Sequence, residues 1–310
     1  MKSSYIIFTG LVLAMLVLSG CDDDSNQTAA RGNPFRGGTE SVSLSFEPND
    51  PPSETFIDVP FFAIIRIRNT GEYAIPQNEF RVKLEGFNPA SFGLTSGQTE
   101  KTANTNLEGT IYDVDRNLYQ GTEDYIEFGP MQYNQQLSVV LPNTPIRATA
   151  CYSYGTNVIS NICIKPNVNR DQPGDICKVN ENKVVYSSSA PVQVTSIAQT
   201  PSGSNAIAIN FRIEHKGIGE VFAKGEFSCD SSRREITNKV NVVVDAPAGL
   251  DCPSLGGGNS GTITLRDRDP TLVRCTLNIP AGTSAYVQPI GINLEYNYKQ
   301  TIQRTIDIKP

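Results

Sequence analysis

Apolar and polar residues alternate with a period of two along much of this chain, as expected for strands with one buried face. The alternation is clear in the segments 42–46, 63–67, 192–194, 207–213 and 292–298. Turn-forming residues punctuate it at 69–71, 155–157 and 201–203. No amphipathic helical stripe separates the strands, so the pattern predicts an all-β protein.

Two sequence patterns each occur twice along the chain, in the same order and with nearly the same offset. The stretch 62–75 resembles 208–221, and Asn69 matches His215 at an offset of 146 residues. The stretch 151–166 matches 295–310 at an offset of 144 residues, with its tyrosines in register. Such a repeat indicates two copies of one structural unit.

Each copy has the length and strand spacing of an immunoglobulin-like sandwich of seven or eight strands. We therefore expect two tandem immunoglobulin-like β-sandwiches, at 41–166 and 191–310, joined by a linker at 167–190. The chain contains no Trp. This excludes the antibody-type core, which is built around a buried Trp.

The N-terminus is typical of a secretory signal peptide, because Lys2 is followed by a short apolar run and then by small residues. Leu18-Ser19-Gly20-Cys21 resembles the lipobox of prokaryotic lipoproteins. That resemblance implies cleavage after residues 1–20, lipid addition to the Cys21 thiol, and attachment to the outer face of the cell membrane. Residues 21–40 are polar and glycine-rich, and we expect a flexible tether there.

The charge of the chain argues against one class of partner. The formal net charge is −6, and removal of residues 1–20, whose one charged residue is Lys2, makes it −7. A mildly acidic chain without a basic stripe is a poor candidate for binding nucleic acid, because it cannot replace the counterions of the phosphates.

Seven cysteines are present, and lipidation of Cys21 leaves six. An even number in an exported chain indicates three disulfides. No CxxC spacing occurs, so a zinc site has little support.

The repeat suggests one of the disulfide pairs. Cys151 and Cys163 align with Glu295 and Asp307, so both cysteines of a predicted hairpin are acidic residues in the other copy. Joint replacement favours a bonded pair, Cys151–Cys163, on the outer face of that hairpin.

Four cysteines remain after that pair, and three connectivities are open for them. The favoured pairs are Cys252–Cys275, which closes a glycine-rich loop, and Cys177–Cys229.

Four stretches carry a resemblance to known proteins: NPFRGGTE (33–40), RNTGEY (68–73), ATACYSY (148–154) and SAPVQVT (189–195). Together they resemble an uncharacterised family of exported proteins, often lipoproteins, from small-genome archaea of the DPANN group. The strand-Asn-x-Gly element is also similar to adhesion-type immunoglobulin-like modules such as the CARDB and NEW3 groups. The first resemblance implies no activity, and the second implies the fold and a general binding or architectural role.

The sequence offers little for catalysis. A histidine-based nucleophilic site would need His215, the single histidine of the chain, but the repeat puts it at the position of Asn69, in a turn before Gly217. Neither a GxSxG nucleophile motif nor a GxxxxGK[ST] phosphate loop occurs.

One stretch has the oxygen spacing of a calcium loop, and its ligand candidates are Asp113, Asp115, Asn117 and Asp124. Leu118 stands where the sharp turn of such a loop needs Gly. A weak calcium site that stabilises the first domain is one interpretation, and a solvated hairpin loop is the favoured one.

Four tyrosines cluster in the same region: Tyr112, Tyr119, Tyr125 and Tyr133. Exposed aromatic residues at the loops of a sandwich bind glycans or proteins. Burial in the core is the favoured interpretation.

The leading functional hypothesis is a cell-surface lipoprotein that is not an enzyme and acts as a binding, adhesion or envelope-structural module. Its partners would be the membrane, through the lipid, and a protein or glycan at the cell surface. One alternative is an exported hydrolase that uses paired carboxylates. The other is a subunit of a surface filament or layer.

Overall fold

The structure, a computed structural model, describes residues 32–266 and 269–310. In these ranges the chain is built from β-strands, and its helices are four short 3-10 turns. The predicted all-β class is confirmed. None of the described segments forms a helix long and apolar enough to cross a membrane.

The strands of the first half are β1 (Val42–Phe46), β2 (Glu54–Phe56), β3 (Phe61–Asn69), β4 (Phe80–Glu85), β5 (Glu100–Thr102), β6 (Ile111–Tyr112), β7 (Leu118–Tyr119), β8 (Glu123–Met131) and β9 (Leu141–Ile164). Those of the second half are β10 (Glu181–Lys183), β11 (Tyr186–Ser187), β12 (Val192–Pro201), β13 (Ala206–His215), β14 (Glu220–Phe222), β15 (Lys239–Asp245), β16 (Leu250–Asp251), β17 (Ser260–Thr264), β18 (Thr271–Asn278) and β19 (Tyr286–Lys309). The 3-10 turns span Gln77–Glu79, Pro89–Phe92, Ser96–Thr99 and Pro253–Leu255.

Over the described ranges the strands form one large sheet, two smaller sheets and a hairpin. The large sheet has nine strands, with the order β17-β15-β19-β9-β4-β5, and β11, β14 and β2 pair alongside. The smaller sheets have the orders β1-β3-β8 and β10-β12-β13-β18-β16. The hairpin consists of β6 and β7.

The centre of the large sheet is a ribbon of two 24-residue strands, β9 and β19, called here the central ribbon. The two strands pair antiparallel along almost their whole length, from Ile164 beside Tyr286 to Leu141 beside Ile308. One of these strands comes from each half of the chain, so the backbone hydrogen bonds of the ribbon join the halves.

The central ribbon explains the sequence repeat. The offset of 144 residues maps Ser153 onto Asn297, and these two residues face each other in the register. A residue that pairs with its own equivalent lies on a two-fold axis, so the halves are related by an approximate two-fold axis through this pair. The flanking strands obey the same relation, since β4 and β5 follow β9 on one side and β15 and β17 follow β19 on the other.

Four buried tyrosines on the inner face of the central ribbon form a closed ring of contacts, with centroids 6.0–6.3 Å apart: Tyr152, Tyr154, Tyr296 and Tyr298. The hydroxyl of Tyr152 lies 2.9 Å from Ser41 Oγ, just before β1. The hydroxyl of Tyr296 accepts a 3.3 Å hydrogen bond from the N–H of Val192, at the start of β12. Both smaller sheets therefore pack on this face. Burial raises the pKa of Tyr298 to about 12, so this hydroxyl keeps its proton at neutral pH.

The expected division into two separate sandwiches, at 41–166 and 191–310, does not match this topology. β9 and β19 would lie in different domains, yet they are neighbours in one sheet. The main apolar core cluster also contains residues of both halves, such as Ile67 and Ile213. The repeated pattern is therefore a property of two halves that share a sheet.

The predicted linker, 167–190, is part of the fold as well. It contains β10 and β11, which pair with β12 and β9. The buried ammonium of Lys165 holds its beginning through ion pairs of 2.6 Å to Asp171 and 2.8 Å to Asp175. Hydrogen bonds from this ammonium lower the pKa of both carboxyl groups.

The predicted tether, 21–40, is corrected for residues 33–40. The carboxylate of Glu72 accepts hydrogen bonds from the backbone N–H groups of Arg36 at 2.8 Å, Gly37 at 2.9 Å and Ser189 at 2.6 Å. One side chain thus joins this segment to residues of both halves of the chain. The predicted signal peptide, 1–20, and Cys21 lie outside the described residues.

Six of the seven cysteines are described, and they form three disulfides: Cys151–Cys229, Cys163–Cys177 and Cys252–Cys275. The predicted pair Cys252–Cys275 is confirmed. Three disulfides are typical of a protein in an oxidising, extracytoplasmic compartment.

The predicted pairs Cys151–Cys163 and Cys177–Cys229 are wrong. The first of them requires a hairpin with its turn at 155–157, whereas β9 runs through this stretch without interruption. Twelve extended residues separate the two Cα atoms by roughly 40 Å, far beyond the reach of a disulfide. Gly155 serves close packing there, because a Cβ at this position would lie 2.4 Å from the ring of Tyr73.

The shared ribbon and core predict one cooperative unfolding transition. Ile67 and Ile213 occupy equivalent, fully buried positions in β3 and β13. Ile67→Ala or Ile213→Ala should each lower the free energy of unfolding by about 2–5 kcal/mol. Calorimetry should show the single transition moving as a whole in either variant. A transition that splits in two would contradict the shared core.

Candidate functional site

Two insertions break the approximate symmetry of the fold. Ten residues separate Asn69 from Phe80, whereas 24 residues separate His215 from Val240, the corresponding positions of the second half. The additional residues form the wall segment (residues 223–238) between β14 and β15. The first half has its own insertion between β5 and β8, which contains the β6–β7 hairpin.

The wall segment crosses from the second half onto a strand of the first. Its Cys229 is bonded to Cys151 of β9. The N–H of Gly225 donates a 2.9 Å hydrogen bond to Oδ1 of Asn297, and the ammonium of Lys299 lies 3.4 Å from the carbonyl oxygen of Cys229. A small apolar cluster that includes Phe222 surrounds the disulfide. The wall segment is therefore fixed to the outer face of the central ribbon.

A groove of about 720 Å³ lies where the wall segment meets the large sheet. Its floor comes from β4, β5, β9 and β19, and its wall comes from 227–232. The lining residues are Arg81, Lys83, Glu85, Glu100, Thr149, Cys151, Phe227, Ser228, Cys229, Asp230, Ser231, Ser232 and Lys299. Its volume falls within the range of about 300–1,000 Å³ that is usual for small-ligand sites.

The charges on the floor of the groove are paired. Arg81 lies 3.5 Å from Glu100, and Lys83 lies 3.1 Å from Glu85. The hydroxyl of Thr149 donates a 3.2 Å hydrogen bond to the Glu85 carboxylate. The groove therefore presents cationic donors and anionic acceptors side by side.

Lys299 and Glu220 form a further pair, 2.9 Å apart, at the edge of the groove. Ser231 donates a 2.6 Å hydrogen bond to the same carboxylate and also contacts Lys299. Partial burial acts to raise the pKa of Glu220, but the hydrogen bonds from Ser231 and Lys299 outweigh it and hold this pKa below its usual value. The Glu220 carboxylate is therefore ionised at neutral pH.

Arg81 has a second contact in the groove. Its guanidinium carbon lies 5.4 Å from the centroid of the Phe227 ring, within the range of a cation–π interaction. The Nε atom of Arg81 is buried and has no hydrogen-bond partner among the described residues, and the same holds for Nδ2 of Asn297. Unpartnered buried donors are rare in proteins, and these two are enclosed, so a ligand on the surface of the groove does not reach them.

Of the residues of the predicted calcium loop, Asp113, Asp115 and Asn117 share one turn, whereas Asp124 has other partners. The Asp113 carboxylate accepts hydrogen bonds from the N–H groups of Asp115 at 2.9 Å and Asn117 at 2.7 Å, and from the Asn117 amide at 2.9 Å. These bonds lower the pKa of Asp113, with the Asn117 side chain as the largest cause. Asp124 lies in β8, where it accepts a 2.6 Å hydrogen bond from the N–H of Asn104. The spacing that resembles a calcium loop therefore belongs to a self-bonded turn and a separate strand.

In the part of the chain that the structure describes, no three His, Cys, Asp or Glu side chains are arranged to hold a metal ion.

The tyrosines near the turn differ in burial, since Tyr133 packs against the core while Tyr119 and Tyr125 are exposed. His215 ends β13 in a turn, as the repeat predicts, and its Nε2 lies 3.3 Å from the hydroxyl of Tyr298.

The groove was not predicted from the sequence. Its residues come from five separate stretches and include no known motif. The sequence contains one signal of the wall segment: the spacing between Asn69 and Phe80 is much shorter than that between His215 and Val240. An alignment of the two halves strand by strand would have isolated the wall segment as an insertion, and insertions on a rigid scaffold often carry binding sites.

Comparisons with known proteins do not identify a family. No protein-family model matches the chain, and no curated protein does. One solved structure, "The Triple Jelly Roll Fold and Turret Assembly in an Archaeal Virus", has 9% sequence identity, and the match covers 88% of this chain and 91% of that one. Its TM-score is 0.12, which is too low to carry an argument about fold or function.

Loss of the Cys151–Cys229 disulfide should lower the stability of the protein more than loss of Cys163–Cys177. Cys151–Cys229 spans 78 residues and Cys163–Cys177 spans 14. Restriction of the unfolded chain grows with loop length, so replacing the first pair by Ala should cost about 4.5 kcal/mol of stability and replacing the second about 3 kcal/mol. Urea unfolding of the two double variants measures this. Equal losses of stability, or a larger loss for the Cys163–Cys177 variant, would contradict the role assigned to the disulfide of the wall segment.

Proposed function

We propose that this protein is a lipid-anchored, extracytoplasmic surface protein that binds a partner through the groove beside the wall segment and is not an enzyme. The lipobox-like residues 18–21 and the disulfide content support the location. The groove supports the binding role.

The proposed anchor fits the way the chain enters the fold. Ten residues, 22–31, separate Cys21 from Gly32. Fully extended, they span at most about 35 Å. The next residues are fastened by Glu72, whose carboxylate holds the N–H groups of Arg36 and Gly37. A lipid on Cys21 would thus keep the folded body close to the membrane surface.

The observation that carries the binding proposal is the wall segment. An insertion that is bonded to β9 by Cys151–Cys229 and hydrogen-bonded to Asn297 forms a groove on a rigid sheet. Binding groups held on regular strands keep their positions, so little conformational freedom is lost when a partner binds.

A surface filament or layer is the second candidate. Exposed apolar residues lie near both ends of the central ribbon: Phe56, Val139, Val140 and Leu141 at one end, and Ile176, Tyr286 and Val287 at the other. A head-to-tail contact between copies would bury both groups, and such a contact propagates into an open assembly. Size-exclusion chromatography that gives a monomer at all concentrations would speak against this candidate.

Replacement of the anchor cysteine tests the location. Cys21→Ser should move the protein from the membrane fraction to the soluble extracytoplasmic fraction or leave its precursor uncleaved, because Ser has no thiol to accept the lipid. Ser25→Ala, in the same segment, is the matched control and should fractionate like the parent. Membrane association of the Cys21→Ser protein equal to that of the parent would contradict the lipid anchor.

Cross-linking on intact cells tests the binding role. Lys83 lies in the groove and its side chain is about half exposed, whereas Lys216 is similarly exposed and lies outside the groove lining. An amine-reactive cross-linker should join Lys83 to an amine of a partner protein, or of the glycoprotein that carries a bound glycan. Loss of that product in Lys83→Gln but not in Lys216→Gln is expected, and the reverse result would contradict the assignment of the groove.

A further inference from the structure

The formal charges that line the groove cancel. Three cationic side chains, Arg81, Lys83 and Lys299, stand against three anionic ones: Glu85, Glu100 and Asp230. Hydrogen bonds from Ser232 lower the pKa of Asp230, which keeps it ionised. A groove with no net charge has no long-range attraction for a polyanion, so phosphate-rich and sulfate-rich ligands are disfavoured.

The same side chains give a dense mixture of hydrogen-bond donors and acceptors. The carboxylates of Glu85 and Glu100 accept, while the ammonium of Lys83 and the guanidinium of Arg81 donate. The exposed hydroxyls of Ser231 and Ser232 do both. Adjacent hydroxyl groups of a ligand match this mixture, because each hydroxyl can donate to a carboxylate and accept from a neighbouring cation.

One aromatic ring lies among these polar groups. Phe227 is partly exposed in the wall, and the guanidinium of Arg81 lies on its ring. The combination offers an apolar surface at the side of a polar floor. The terminal nitrogens of the Arg81 guanidinium, whose side chain is 43% exposed, supply donors for a ligand oxygen at the same place.

We infer that the groove binds an uncharged, hydroxyl-rich carbohydrate, with one face of a sugar ring against Phe227 and its hydroxyls bonded to Arg81, Glu100 and the serines of the wall segment. This inference deepens the proposed binding role and rests on it. A lipid chain would displace water from the six charged groups without offering them hydrogen bonds, and burial of charges in that way is costly.

The test uses the purified full-length protein and a panel of defined sugars. Neutral oligosaccharides of glucose, galactose, mannose and N-acetylglucosamine form one arm, and heparin-derived and phosphorylated oligosaccharides form the other. At least one neutral sugar should bind, and its affinity should change less than about twofold between low and high salt, because no counterions are released. Binding restricted to the charged arm and lost in high salt would overturn the inference.

Variants locate the binding in the groove. Phe227→Ala and Arg81→Ala should each weaken the neutral sugar about tenfold or more, as loss of an aromatic or arginine anchor commonly does. Arg66→Ala is the matched control for Arg81→Ala, because both side chains are 43% exposed and both pair with a glutamate. Circular dichroism checks that each variant is folded, and Glu100→Gln replaces Arg81→Ala if the latter is not.

Two results would overturn the carbohydrate assignment: no neutral sugar of the panel binds, or binding is unchanged in Phe227→Ala and Glu100→Gln. Neither result depends on the lipid anchor. A groove that rejects every sugar but still cross-links to a surface protein through Lys83 would leave the binding role standing and remove the carbohydrate alone. A groove that does neither would remove both.

Discussion

The backbone pairing of β9 with β19 is the interaction on which the rest of the molecule depends. It brings one strand from each half into the middle of one sheet, with Ser153 facing Asn297 at the centre of the register. The ring of four buried tyrosines on the inner face then packs both smaller sheets against the same surface. Without this pairing each half would expose the edge of a long strand, and exposed edges of that length favour aggregation.

The groove exists because the second half departs from the first. The symmetric scaffold gives the large sheet an outer face with two similar halves, and the wall segment covers only part of that face. Its disulfide to Cys151 and its hydrogen bond to Asn297 tie it across the approximate two-fold axis. A binding site thus arises from a local insertion, while the strands that carry Arg81 and Lys299 stay within the repeated framework.

Alternation of apolar residues was sufficient to predict the strands and the all-β class, because period-2 burial is a local property of the chain. The repeat was also found, through Asn69, His215 and the tyrosine pairs. The predictions that failed concern long-range structure. The turn signal at 155–157 suggested a hairpin, but Gly155 is explained by its close contact with Tyr73 in the folded protein. The wrong pair Cys151–Cys163 followed from the same error. The groove could not be predicted because insertions in both halves nearly cancel, which kept the offset between the copies close to constant and concealed the wall segment.

Native-state hydrogen exchange tests the shared ribbon most directly. If β9 and β19 form the centre of one cooperative unit, the amides around Ser153 and those around Asn297 should be among the slowest to exchange. Both sets should open with the same free energy, equal to that of global unfolding, since each strand protects the other. Peptides from the two strands that exchange with clearly different free energies, one set opening while the other stays protected, would contradict the account.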